Sequence, residues 1–202
     1  RSPSRGLGDV YKRQLIKHLN TLVYQKLCSL YNHSLKKSLD DGIEIPGFNE
    51  IMVDILHDFG IPASLTGYQY LKRAIEMAFL NIDTVVGGVT KVIYPTIAQM
   101  YNTTSPRVER SMRHAIETGW CRAKIETMEK IFSYSYSNEK GKPTNGEFIA
   151  NISDYLIIHF RKERKEYLSA HPDNVENVNH IINISNACLL YTSPSPRDGL
   201  LS

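Results

Sequence analysis

The chain has 202 residues, 42% of them hydrophobic and 22% charged, with 24 Lys or Arg against 21 Asp or Glu and a formal net charge of +3. That is enough for one domain with a proper core plus a helical appendage, and no apolar run approaches the ~20 residues that cross a bilayer. With no secretory signal visible, and with three cysteines that have neither metal-ligand spacing nor an even count, the expectation is a cytoplasmic chain with reduced thiols and no metal or cofactor.

Residues 1–14, RSPSRGLGDVYKRQ, and 189–202, LYTSPSPRDGLLS preceded by Leu189, read as adapter-like sequence, and no methionine opens the chain. These ends carry Arg1, Arg5, Lys12, Arg13 and Arg197 against Asp9 and Asp198, which accounts for the whole net charge of +3. Overall basicity therefore argues nothing about a polyanionic partner. Local basicity does: Lys91, Arg107, Arg110, Arg113, Arg122 and Lys124 are opposed only by Glu109 and Glu117 between Lys91 and Lys124.

From Leu15 to Lys37, apolar residues at 15, 16, 19, 22, 23, 27, 30, 31 and 35 keep a helical period and predict an amphipathic helix. Ser38–Gly47, with Asp40-Asp41-Gly42 and Pro46-Gly47, reads as a linker that closes an N-terminal segment, 15–46. An effector-sized region, 47–160, follows. Phe48–Phe59 is a helix with Ile51, Ile55 and Phe59 at four-residue spacing. Leu65–Asn81 is another, with Tyr68, Leu71, Ile75, Ala78 and Phe79 on one side and Lys72, Arg73 and Glu76 on the other. Asp83–Gly88 is a connector, and in the helix Val89–Tyr101 Pro95 implies a kink or a restart.

Ile97–Trp120 predicts two helices joined by a tight polar turn, a helix-turn-helix. Asn102 tolerates the left-handed conformation, Ser105 is a candidate N-cap, Pro106 suits the first helical position, and Ala98 is small enough for a close crossing. On the second helix, Val108, Met112, Ala115, Ile116 and Gly119 fall on one side, and Arg107, Arg110, Arg113, His114 and Glu117 on the other. A short helix around Ala123–Phe132 comes next, with Trp120 and Phe132 as core residues, then a polar loop, Ser133–Asn145. A last helix, capped by Thr144 or Asn145, carries Phe148, Ile149, Ile152 and Leu156 toward the Arg161–Glu166 charge cluster, which reads as a solvated face. The 161–188 extension is charged, then Asn-rich, with no assignable role. No strand alternation occurs, so the class is all-α: a compact domain of about six helices behind an amphipathic one.

The segments GIPASLTGYQYLKRAI, VTKVIYP, NTTSPRVERSMRHAIETGW and KPTNGEFIA, in that order, resemble the C-terminal effector domains of the sporulation-initiation response regulators of Firmicutes, over roughly Ile51–Leu156. The resemblance implies an all-helical domain that binds double-stranded DNA in the cytoplasm, regulates sporulation genes and puts the helix at 105–120 into the major groove. A phosphoacceptor receiver domain precedes such effectors. The residues ahead of the match are too few for one and lack its acidic cluster, phosphoacceptor Asp and Lys.

Guanine offers O6 and N7 to the arginine fork, which makes two parallel bonds to them. Arg107 and Arg110 sit in the first turns of the second motif helix, and Glu109 suits cytosine N4 or an arginine it holds in place. The resemblance implies base contacts at Arg107, Glu109, Arg110, Arg113 and His114. Phosphate contacts are expected from Lys91, Thr103, Thr104 and Ser105, with Arg113, His114 and the helix N-terminus adding to them. It also implies a sigma-factor surface at Lys124, Glu126 and Glu129, and head-to-tail homodimers on tandem sites. The alternative is a helical protein-interaction module without specific DNA binding, in which Leu15–Lys37 is a dimerisation helix. An enzyme finds no support, since no nucleophile constellation, phosphate-cradling loop or metal spacing stands out.

Overall fold

The computed structural model describes residues 4–86, 88–132 and 141–192, and among them it has ten helices and no strand, in line with the all-α expectation. At its centre lies α3 (Thr66–Leu80), whose residues Leu71, Ala74, Ile75, Met77, Ala78 and Phe79 have no exposure at all. A helix apolar on nearly every side belongs inside a core. Around it stand α2 (Phe48–Asp58), α5 (Ile93–Met100), α6 (Ser105–Trp120) and α8 (Asn145–His159). Phe59 joins these layers through rings of Phe148, Phe132 and Trp120 at centroid separations of 5.2, 5.5 and 5.8 Å, so Trp120 and Phe132 are core residues as expected. Each such fully buried side chain contributes about 1.5–3 kcal/mol.

The helix limits follow the sequence reading closely for α2 and α3. The polar side assigned to α3 does not hold throughout: Lys72 stays half-exposed, but Glu76 is only 6% exposed. The cover is the end of α1 (Ser4–Asp41), which runs on as helix through residues read as linker and stops at Gly42. Arg73 pairs with Glu76 at 2.9 Å, pairs with Asp40, and donates to the Leu39 carbonyl, so the guanidinium holds the end of α1 on α3. Burial pushes the Glu76 carboxyl above the usual carboxylate range even with Arg73 beside it.

The Asn-rich stretch is helical too. It forms α10 (Pro172–Thr192), which runs antiparallel to α1: Asn177 Nδ2 donates to Ser34 Oγ at 3.1 Å and His180 stacks on Tyr31 at 4.5 Å. Leu35, Leu39, Val178 and Ile181 are buried there. The predicted apolar stripe of α1 is present as well, but from Leu15 to Leu30 it faces solvent.

The charge cluster becomes a separate helix, α9 (Arg161–Ala170), because Phe160 (φ −105°, ψ 32°) leaves helical geometry and turns its ring into the core against Phe48. Arg161, Lys162, Glu163, Lys165 and Glu166 are solvated, as expected. Arg164 departs from that reading: it donates to the carbonyls of Phe79 and Leu80 at 2.6 and 3.1 Å and so caps the C-terminus of α3. The connector expected at Asp83–Gly88 holds a single turn, α4 (Asp83–Val86), opened by Asn81 Oδ1 accepting from the Asp83 N–H at 2.8 Å. Of the loop expected at Ser133–Asn145, residues 133–140 lie outside the described part. At its end Thr144 caps α8 and exchanges bonds with Glu147 in a capping box.

Candidate nucleic-acid interface

The helix expected from Val89 begins at Ile93, after turns over residues 88–92. Pro95 thus lies in its first turn, where the missing N–H has no intrahelical partner to lose, and the alternatives of kink and restart resolve as a start. Its end is a Schellman closure. Thr103 N–H donates to the Ala98 carbonyl at 2.8 Å, Asn102 N–H to that of Gln99 at 3.3 Å, and Asn102 is left-handed at φ 49°.

The N-cap of α6 is Thr104, one residue before the expected Ser105. Its backbone is extended, its carbonyl accepts from Arg107 N–H at 2.9 Å and Val108 N–H at 3.0 Å, and its side chain makes no capping bond. Ser105 and Pro106 are the first two helical residues, so the missing N–H of Pro106 still falls among the four that lack partners.

Two close approaches fix where α6 lies. A Cβ on Gly67 of α3 would stand 2.0 Å from the Ser111 carbonyl oxygen, and one on Gly119 of α6 would stand 2.5 Å from that of Phe59. Only hydrogen fits at either place. The inward stripe is as expected: Val108, Met112, Ala115 and Ile116 are buried, with Gly119. A residue that sequence reasoning missed completes the hold. Asn145, 3% exposed at the start of α8, donates to the Tyr94 hydroxyl at 2.9 Å and to the Glu109 carbonyl at 3.1 Å, tying α8 to both motif helices. From sequence it was only an alternative cap, and Thr144 takes that role.

The opposite side of α6 faces water. Arg107, Arg110, Arg113, His114 and Glu117 are exposed and Glu109 is half-exposed. Arg113 is held by Glu109 one turn back, at 3.0 Å, and not by Glu117. The guanidinium groups of Arg107 and Arg110 have no ion pair or hydrogen bond with any described residue. Thr103, Thr104 and Ser105 are contiguous with this face at the N-terminus of α6. Lys91 is exposed ahead of α5, a helix length of about 12 Å from the turn.

A second polar surface precedes and includes α7 (Ile125–Phe132). Lys124, Glu126 and Glu129 are all exposed there, but Lys124 is engaged: its Nζ pairs with Asp58 at 2.5 Å and its N–H donates to the Asp58 carbonyl at 2.8 Å. Thr127 Oγ1 adds a bond to the same carboxylate at 2.9 Å. The Lys124 ammonium, with Thr127, holds the Asp58 carboxyl below its usual range despite some desolvation.

The motif turn has a further support that no local pattern signals. Lys36 of α1 donates to the Met100 carbonyl at 3.0 Å and lies over the Tyr101 ring, and Asn32 donates to Gln99. A cation on the last carbonyls of α5 suits the negative end of its dipole.

No group of His, Cys, Asp or Glu among the described residues is arranged to hold a metal ion, and no described helix is long and apolar enough to cross a membrane. The arrangement instead sets out arginines on a rigid helix whose N-terminus is open to solvent, which suits a polyanion. Residues 52–156 match the family model described as Sporulation initiation factor Spo0A C terminal.

Proposed function

Since the chain belongs to the Spo0A C-terminal family, a DNA-binding family of sporulation regulators, we propose that it reads a particular sequence in double-stranded DNA and regulates sporulation genes in the cytoplasm. The proposal puts α6 in the major groove with Arg107 and Arg110 on guanine edges and Glu109, Arg113 and His114 beside them. Lys91, Thr103, Thr104 and Ser105 position the helix on phosphates. The observation that carries it is the pair of Arg107 and Arg110 side chains, both exposed and without any described protein partner, on a helix whose other side is buried. Arginines held in that way have nothing to give up but water when a base edge or phosphate arrives. The domain then works through contacts, with no catalysis of its own. Lys124, Glu126 and Glu129 present a surface to the sigma factor of RNA polymerase, and copies bind tandem boxes head to tail.

The test is titration of the full chain against a duplex carrying a sporulation-regulator box and a scrambled duplex of the same composition. Arg107→Ala and Arg110→Ala are each expected to cost about 1–3 kcal/mol on the box and little on the scrambled duplex, and binding weakens steeply with salt as counterions are released. Equal affinity for the two duplexes, unchanged by either substitution, would refute the specific reading.

A further inference from the structure

Successive residues of a helix turn by about 100°. On α1, Tyr31, Ser34 and Leu35 meet α10 or the core, while Leu15, Ile16, Leu19, Leu22, Val23, Leu27 and Leu30 centre about a quarter-turn round the helix from them and are exposed. Those seven aliphatic residues are between 36% and 59% exposed. They amount to roughly 600 Å² of surface, the upper end of what a monomer ordinarily shows as its largest apolar patch. None of them belongs to residues 1–14.

We propose that this stripe is a self-association surface, and that a second copy of the chain covers it as an antiparallel helix pair centred on Val23. The spacing is self-complementary. With Val23 facing the partner's Val23, Ile16 meets the partner's Leu30 and Leu19 meets the partner's Leu27, so each layer from 16 to 30 is apolar against apolar. The charges select the direction. No Asp or Glu occurs from Val10 to Leu39, so a parallel pair sets Lys26, which falls on the side of the stripe, against its own copy. The antiparallel pair puts Lys26 opposite the partner's Asn20. The area suffices as well, since two stripes bury about 1,200 Å², the lower bound for a stable specific interface. The pair is isologous, a contact separate from a head-to-tail arrangement on tandem boxes.

Sedimentation equilibrium of the full chain tests this. The expected mass at about 50 µM is twice the 23.0 kDa of one chain, and Leu19→Glu with Val23→Glu returns it to 23.0 kDa with an unchanged helical circular-dichroism spectrum, since both positions are exposed. Direction is read by oxidation in a Cys28→Ser, Cys121→Ser, Cys188→Ser background. Val23→Cys cross-links to its own copy and Ile16→Cys does not. A chain that stays at 23.0 kDa up to about 100 µM overturns the proposal, and so does cross-linking of Ile16→Cys. Adsorption of that monomer to phosphatidylglycerol vesicles, lost in the double glutamate variant, would assign the stripe to an anionic lipid surface instead.

Discussion

Gly67→Ala opposes two well-known effects and lets the structure decide between them. Gly67 is in the first turn of α3, and alanine is the better helix former by up to about 1 kcal/mol, so local propensity favours the variant. Packing opposes it. The added Cβ would lie 2.0 Å from the Ser111 carbonyl oxygen, 2.6 Å from its carbon and 2.8 Å from Ala115 Cβ. All three atoms are backbone or the first side-chain atom of α6, so none can swing aside as a flexible tip does. Restoring an ordinary contact of about 3.5 Å requires α6 to retreat about 1.5 Å from α3. Overpacking of this kind costs about 1–3 kcal/mol, and a retreat also opens gaps along the buried side of α6.

The net expectation is a loss of about 2 kcal/mol, read as a lower urea midpoint at unchanged slope. Because the retreating element carries Arg107 and Arg110, affinity for a specific duplex falls about tenfold even where the variant is fully folded, as a displacement near 1 Å does at preorganised sites. A midpoint equal to or above that of the unsubstituted chain, with unchanged DNA affinity, would show that propensity wins and that α6 is not set by α3.

Asn145→Ala removes the bonds to the Tyr94 hydroxyl and the Glu109 carbonyl and leaves both without that partner, at an expected cost of about 1–3 kcal/mol in chemical denaturation. Acid acts at the start of α7. The Asp58 carboxyl is lowered by Lys124 and Thr127 in the folded chain, so its stabilisation is present above the unfolded-state value and is lost as the pH falls through the lower folded value. In acid titrations followed by thermal melts, Asp58→Asn is therefore expected to flatten the decline below about pH 4.

What could be read from the sequence was whatever one helix encodes by itself. The period of α6 separates its core side from its basic side, and the Pro62 and Gly60 breaks bound α2 and α3 to within a residue or two. The Thr104–Ser105 pair was harder, since both are good cap residues and the difference is a single step of backbone. What was hidden depends on partners far along the chain. Arg164 finds the end of α3 across 85 residues, Lys36 finds Met100 across 64, and Asn145 finds Tyr94 across 51. The stripe on α1 is a mixed case: its period was plain, but a period records that a face is apolar and says nothing about what lies against it.

The two sides of α6 differ in what holds them, and that difference bears on how such a helix reads a surface. Its backbone is held from three directions, by Gly67 and Gly119 at the crossings and by Asn145 on the Glu109 carbonyl. Its outward side chains are scarcely held at all. The single ion pair there among the described residues, Glu109 with Arg113, is exposed and one turn apart, a geometry worth about 0.3–0.5 kcal/mol. A phosphate or base edge can displace a pair that weak, so Glu109 gives Arg113 a resting position without committing it. Ordering each long side chain on binding costs up to about 2 kcal/mol, and that cost falls equally on a right and a wrong sequence. On the proposed function, discrimination therefore has to come from where the rigid backbone puts the arginine roots, and the residues that set this are the inward ones.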